Sequence, residues 1–167
     1  IRDRYSGGTT VSAGSVLIGN NAALGSGVLV LSGGTVSSDG LTARTLANGI
    51  SFGATATLGD AVKSGALTFG GTGTTTVNAG TLTLSGGSAI GDGSTVTLAT
   101  AGSLKLASSE EIGVLTASGS GTVNLQANDL TIGGSTASSV GVVVSGTGKV
   151  VKNGSGALTL SGANTFT

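Results

Sequence analysis

Apolar and polar residues alternate in short segments along the chain, and each alternation predicts a β-strand. Residues 67–69, 96–98, 104–106 and 130–132 each place one polar residue between two apolar ones. This period of two puts the apolar side chains on one face of a strand and the polar ones on the other. Gly-Gly, Asp-Gly, Asn-Gly and Ser-Gly pairs between the segments are typical of turns. Residues 107–113 are the best helix candidate, but this stretch is too short, so we predict an all-β fold.

Sequence repeats favour a solenoid of parallel strands over an antiparallel sandwich or barrel. The pattern Gly-Ser-Gly-x-Φ-x-Φ, with Φ apolar, begins at Gly25, Gly119 and Gly154, and residues 9–16 resemble residues 75–82. A solenoid stacks like residues on like. With coils of roughly 20–25 residues, we expect about seven rungs in a single β-solenoid domain over residues 5–167. Residues 1–4 would form a charged N-terminal arm.

Composition supports a folded chain with a narrow core. Hydrophobic residues make up 38% of the chain, whereas aromatic residues make up 2%. Disordered chains are usually poorer in apolar residues and richer in charge. The chain has no Pro, which would interrupt a strand ladder. We therefore expect stacked Leu, Val and Ile side chains inside long uninterrupted ladders.

The chain lacks the residues that several classes of function require. The chain contains no His and no Cys, so neither a Ser-His-Asp triad nor a thiolate metal site is available. Its formal net charge is zero and it has no basic cluster, so nucleic-acid binding is not expected. We see no segment that would insert into a membrane.

The carboxylates are scattered and mostly adjoin turn residues. We interpret Glu110 and Glu111 as a solvated loop, and residues 90–94 as a plain turn rather than a calcium site, because one Asp supplies too few oxygen ligands. We therefore predict that the chain is not an enzyme and has no catalytic, cofactor-binding or metal-binding residues. Thr-x-Thr pairs at 55/57, 74/76, 81/83 and 95/97 raise a separate hypothesis of ice binding, although their spacing along the chain is uneven.

The last residues carry a recognisable motif. Residues 151–165 match the pattern Val-Lys-x-Gly-x-Gly-Thr-Leu-Thr-Leu-Ser-Gly-x-Asn-Thr, with Ala157 in place of the first Thr and Phe166 at the aromatic position that follows. This segment resembles the autotransporter-associated β-strand repeat, also called the passenger-associated transport repeat. The Gly-Gly-Thr that ends the repeat is absent from the tail and is found as Gly7, Gly8 and Thr9. The resemblance implies a right-handed parallel β-helix, export to the cell surface and no enzymatic role for the repeat itself.

A repeat that begins at the tail and ends at the head suggests head-to-tail stacking of copies. The terminal strands carry no Pro and few charges, and no capping helix is apparent, so we expect uncapped ends that form an open, filament-generating interface. Tyr5-Ser6 and Phe166-Thr167 occupy the same two positions of the repeat, so the ends overlap. The predicted interface residues are Tyr5, Ser6, Gly7, Gly8, Thr9, Val11, Leu158, Leu160, Asn164 and Phe166.

The sequence thus favours a structural subunit whose partner is itself and which assembles into an extracellular filament or cell-surface fibre. The alternative is a passive stalk or spacer segment of a surface adhesin or autotransporter passenger.

Overall fold

Short parallel strands stacked in rungs make up the chain. The computed structural model describes residues 5–40, 42–52, 54, 56–58, 67–69, 74–87 and 89–167. Within these ranges there is no helix, and every strand pairing is parallel. The predicted all-β parallel solenoid is therefore confirmed. The strands are β1 (Thr9–Val11), β2 (Ser15–Ile18), β3 (Leu29–Leu31), β4 (Thr35–Ser38), β5 (Arg44–Leu46), β6 (Ile50–Phe52), β7 (Ala56–Leu58), β8 (Leu67–Phe69), β9 (Thr74–Leu84), β10 (Thr95–Leu106), β11 (Glu110–Ile112), β12 (Val114–Ala117), β13 (Thr122–Asn124), β14 (Leu130–Ile132), β15 (Ser138–Val140), β16 (Val143–Ser145), β17 (Val150–Lys152) and β18 (Leu158–Leu160).

The strands form three faces, which the chain visits in a fixed order. The first face stacks β1, β3, β6, β9, β10, β12, β15 and β18. The second stacks β2, β4, β7, β9, β10, β13 and β16, because β9 and β10 are long enough to bend from the first face into the second. The third contains β5 and β8, then β11, β14 and β17. An isolated bridge from Phe69 to Ile90 continues β8 on this third face.

Rung length varies along the solenoid. Successive partners on the first face lie 19 residues apart between Val96 and Leu115 and 25 apart between Ile50 and Thr75. The expected coil of roughly 20–25 residues is close to this range. The handedness and the count of about seven rungs stay predictions. The boundary of the predicted arm also stays a prediction, because residues 1–4 lie outside the described residues.

Inward side chains stack in apolar columns. On the first face, Leu31, Val77 and Leu98 occupy one column and all are fully buried. Burying one such side chain contributes roughly 1.5–3 kcal/mol. Two polar residues, Thr75 and Ser138, replace aliphatic residues in the neighbouring column. Ser138 is tolerated there because its Oγ accepts a hydrogen bond from the Leu115 backbone N–H at 3.1 Å.

A buried asparagine secures one corner near the first rung. Asn48 donates from Nδ2 to the carbonyl oxygens of Leu24, Gly25 and Gly27, at 3.3, 3.3 and 2.7 Å. These carbonyls belong to the turns over residues 21–27, where the third face has no strand. One amide group thus satisfies backbone acceptors that a strand partner would otherwise pair.

Candidate functional site at the two ends of the solenoid

The tail end of the solenoid leaves its core partly open. Residues 151–167 alternate between exposed and half-buried, whereas Val140 on the preceding rung is fully buried. The half-buried apolar side chains here pack against the core and belong to Val150, Leu158, Leu160 and Phe166. β18 pairs with β15 along one edge, and no described strand pairs with its other edge. This end therefore presents apolar surface beside unpaired backbone groups.

The last residues continue the second face by one rung. The Thr165 N–H donates to the Val144 carbonyl at 2.8 Å, and the Thr167 N–H donates to the Gly146 carbonyl at 3.1 Å. Asn164 adds a side-chain bond, because its Oδ1 accepts from the Val144 N–H at 2.9 Å. Two of the predicted interface residues, Asn164 and Phe166, are thereby held at the rim of the solenoid.

The head end differs from the tail because its inward apolar residues are better covered. Val11 and Ile18 are only 4% and 1% exposed, while Val16 is half-buried. β1 pairs with β3, and its other edge has no partner among the described strands. Backbone pairing is thus available at the head, with less open apolar surface than at the tail.

Tyr5 lies at the surface of the head. It is 48% exposed, and its hydroxyl donates to the Gly8 carbonyl at 2.6 Å. Ser6, Gly7 and Gly8 are also exposed. The ring therefore folds over the glycines that precede β1, where a neighbouring molecule can reach it.

The ten predicted interface residues fall into two groups at opposite ends of one molecule. Tyr5, Ser6, Gly7, Gly8, Thr9 and Val11 lie at the head, and Leu158, Leu160, Asn164 and Phe166 lie at the tail. Contact between the groups requires a second copy, so the interface stays a prediction. β1 and β18 are, however, the two terminal strands of one face.

Some of the threonine pairs do align on the first face. Thr74 and Thr76 pair with Thr95 and Thr97, and Thr116 extends the second of these two columns. Val114 ends the first column, and Thr81 and Thr83 pair with Ser103 and Lys105 on the second face. Thr55 lies outside the described residues. Ice binding stays a prediction, which a thermal hysteresis assay would test.

The interpretation of Glu110 and Glu111 as a solvated loop was wrong. Both residues belong to β11, and Glu110 is only 4% exposed because it takes an inward position in the column of Leu130 and Val150. Its carboxylate accepts hydrogen bonds from the backbone N–H groups of Ala89, at 3.1 Å, and Ile90, at 2.7 Å. The side chain thus spans the break between Ile90 and β11, where the third face lacks a strand pairing.

Burial makes the Glu110 carboxyl unusually basic. Desolvation raises its pKa from 4.5 to about 7, although the two backbone hydrogen bonds favour the ionised form, and the nearby Asp92 raises the pKa further. No motif marks this residue in the sequence. The sequence signal that could have indicated its burial is the apolar Ile112, two residues later. If Ile112 points inward on a strand, then Glu110 also points inward, as Leu130 and Ile132 do in β14.

An open cavity of about 300 Å³ lies beside this carboxylate and is lined by Gly87, Asp92, Ser109, Glu110, Glu111, Asp129 and Thr131. The Asp129 Oδ1 accepts from the Lys149 backbone N–H at 3.0 Å, and the Ser109 Oγ accepts from the Asp129 N–H at 3.0 Å. Across the described ranges, no group of three or more potential ligands is arranged to hold a metal ion. Residues 90–94 form the predicted turn, in which the Ser94 N–H donates to the Gly91 carbonyl at 2.8 Å.

Comparison with known proteins finds one family. The model of the passenger-associated-transport-repeat matches residues 4–18 and 150–167. No curated protein and no solved structure is significantly similar to the chain. In the described part of the chain, no helix is long and apolar enough to cross a membrane.

The two matched segments are the same two ends of the solenoid that the fold leaves with unpaired strand edges. The parallel β-solenoid is consistent with the repeats of autotransporter passengers, which this family model describes. The resemblance predicted from the sequence is thereby confirmed: the chain matches the passenger-associated-transport-repeat in two segments, which lie at opposite ends of a parallel β-solenoid.

Proposed function

We propose that this chain is a structural subunit that assembles head to tail, outside the cell or on its surface, into a filament or fibre. The observation that carries the proposal is the open tail rung. Val150, Leu158, Leu160 and Phe166 point inward but are only half-buried. A further rung supplied by a neighbour would bury them as the preceding rungs are buried.

Backbone pairing supports the same proposal. The outer edges of β1 and β18 have no strand partner in the described part of the chain, and both strands are parallel members of one stack. Unpaired edge strands template the addition of further strands. A contact that joins a head to a tail leaves another head and another tail free, so it generates an open fibre rather than a closed ring.

The second candidate is a passive stalk or spacer in an autotransporter-type passenger. The observation that favours it is the family match itself, since the repeat model belongs to passenger proteins. In this function the terminal rungs are covered by more of the same polypeptide. Assembly of the isolated chain distinguishes the two candidates.

Substituting Leu160 with Lys is expected to prevent assembly while leaving each molecule folded. Leu160 is half-buried at the open rung, so the added ammonium group reaches water in the monomer but would be buried by a stacked neighbour. Negative-stain electron microscopy of the full-length chain should show filaments, and the L160K variant should show isolated particles. A variant that lacks residues 1–14 should also fail to form filaments.

The matched control is Ser139→Lys. Ser139 is exposed on the outward side of the same face, one rung before Thr159. Filaments should persist in S139K, and circular dichroism should show the same β-structure in all variants. Isolated particles from the unmodified chain, over a range of salt and calcium concentrations, would reject the fibre and favour the stalk.

A further inference from the structure

The strand ladder of the third face is interrupted between Ile90 and β11. On one side, Ile90 forms a bridge to Phe69 of the preceding rung. On the other side, no described strand pairs with residues 89 and 90, since the partner of β11 in its sheet is β14. The Glu110 carboxylate accepts from the Ala89 N–H at 3.1 Å and from the Ile90 N–H at 2.7 Å. One ionisable side chain therefore closes this interruption.

We propose that Glu110 is a pH-sensitive switch in the third face. When its carboxyl loses the proton, the side chain withdraws from the N–H groups of Ala89 and Ile90 into the open cavity beside it. The third face then opens between Ile90 and β11. While the carboxyl is protonated, the side chain keeps the interruption closed. This local opening does not depend on the proposed head-to-tail assembly.

The cavity gives the carboxylate a short route to water. It has a volume of about 300 Å³, is open to the surface, and Glu110 itself is part of its lining. In the closed position Glu110 is only 4% exposed. Burying an ionised carboxylate is costly unless it is paired, so ionisation favours the position in the cavity over the position in the core.

The ionisable groups around Glu110 at this cavity are acidic. Asp92 approaches from the turn after Ile90, Glu111 follows on β11, and Asp129 precedes β14 on the next rung, and all three line the cavity with Glu110. Like charges disfavour a further ionised carboxylate at the same site. A negative charge on Glu110 is therefore opposed from the rung before it, from its own strand and from the rung after it.

Among the described residues, no basic side chain forms an ion pair with Glu110. β8, on the preceding rung, carries no charged residue, and Lys105 and Lys149 are exposed. Arg44 pairs with Asp39 at 3.2 Å, and the Lys152 ammonium donates to a backbone carbonyl two residues later. The ionised form of Glu110 thus has two backbone hydrogen bonds but no compensating cation.

The neutral form fits the closed position better than the ionised form does. A protonated carboxyl still accepts hydrogen bonds at its carbonyl oxygen, so the bond from the Ile90 N–H persists. Burial raises the pKa of the Glu110 carboxyl from 4.5 to about 7, and Asp92 raises it further, although the two backbone hydrogen bonds lower it. The proton therefore binds more tightly in the closed state than in an open state that exposes the carboxyl to water.

This difference fixes the direction and the size of the effect. The raised pKa favours the closed state in full below pH 4.5, and that advantage is lost as the pH rises through 7. The ratio of open to closed molecules is expected to rise about 50- to 100-fold between pH 5 and pH 8. Because local opening costs less free energy than unfolding of the whole chain, it should be detectable in the folded protein.

Amide hydrogen exchange, measured by NMR at pH 5 and pH 8, tests the switch. The protection of the Ile90 N–H is compared with that of an unfolded peptide at the same pH, which removes the pH dependence of exchange itself. The matched reference is the N–H of the buried Leu115, which donates to the hydroxyl of Ser138 at 3.1 Å, a group that does not titrate in this range. Low concentrations of urea accelerate exchange through unfolding of the whole chain, whereas local opening responds little.

The protection of Ile90 should fall about 50- to 100-fold from pH 5 to pH 8 and should not respond to low urea at pH 8. Leu115 should stay better protected and should respond to urea. The fall at Ile90 should disappear in E110Q and persist in E111Q.

Two results would overturn the switch. One is equal protection and equal urea dependence at Ile90 and Leu115 in the unmodified chain at pH 8, which would mean that only unfolding of the whole chain exposes Ile90. The other is an undiminished fall in the protection of Ile90 in E110Q. The first result needs no variant, so the test does not depend on the folding of E110Q.

Discussion

The free energy of unfolding is expected to fall by about 2 to 3 kcal/mol between pH 5 and pH 8, because of Glu110 alone. The folded state holds this carboxyl with a pKa of about 7, whereas the unfolded chain exposes it with a value near 4.5. A raised carboxyl pKa means that the folded state binds the proton more tightly. The stabilisation of the folded state by the proton on Glu110 is therefore present in full below pH 4.5 and is lost as the pH rises through 7.

The variant Glu110→Gln should be nearly insensitive to pH in this window. The amide cannot ionise, and the chain has no His, the one side chain that ordinarily titrates between pH 5 and pH 8. The amide oxygen can still accept from Ile90, but the amide NH₂ cannot accept from Ala89, so we expect one hydrogen bond to be lost at every pH. Chemical denaturation at pH 5, 6.5 and 8 measures both effects.

Glu111→Gln is the matched control, because Glu111 is the next residue of the same strand and is only half-buried. The free energy of unfolding of E111Q should change with pH as that of the unmodified chain does. A pH dependence of the same size in E110Q would contradict the assignment of this effect to Glu110.

Substituting Gly121 with Ala is expected to destabilise the solenoid by about 3 kcal/mol. Gly80, Gly102 and Gly121 lie on successive rungs near the bend between the first and second faces, and Gly80 pairs directly with Gly102. A Cβ atom at Gly121 would overlap the carbonyl oxygen of Gly102, which belongs to the backbone and cannot rotate away. The rungs would have to separate locally, with a loss of ladder hydrogen bonds.

The control for this substitution is Gly93→Ala. A Cβ atom at Gly93 would have no neighbouring atom within 4 Å, so the free energy of unfolding should change by less than about 1 kcal/mol. Denaturant unfolding of the two variants at one pH makes the comparison. Equal free energies of unfolding for G121A and G93A would contradict the prediction, because they would show that the backbone around Gly121 accommodates a Cβ atom without loss of stability.

The local alternation of the sequence was a reliable guide to the strands. The segments at residues 67–69 and 130–132 are strands β8 and β14, and those at 96–98 and 104–106 lie within β10. The likeness of residues 9–16 to residues 75–82 also has a structural counterpart, because Val11 and Val77 lie in one inward column of the first face. These features follow from short-range properties of the chain, which a sequence displays directly.

Similarity of motif did not always predict the same place in the fold. The Gly-Ser-Gly motifs at Gly25 and Gly154 lead into β3 and β18 on the first face, but the motif at Gly119 leads into β13 on the second. Rung length varies because turn lengths vary, so a fixed period cannot assign each strand to its face. Because turn lengths vary, the sequence also did not predict that Glu110 is buried or that it aligns with Leu130.

The sequence by itself determined the strand-and-turn pattern, the parallel solenoid and the repeat at the two ends, because each depends on the order of neighbouring residues. Only the tertiary structure decided which residues meet across rungs. It brought the carboxylate of Glu110 to the backbone N–H groups of Ala89 and Ile90, and it placed Val11 and Val77 in one inward column of the first face. The physical reason is that stacking couples residues about 20 positions apart, and their register depends on the length of every turn between them.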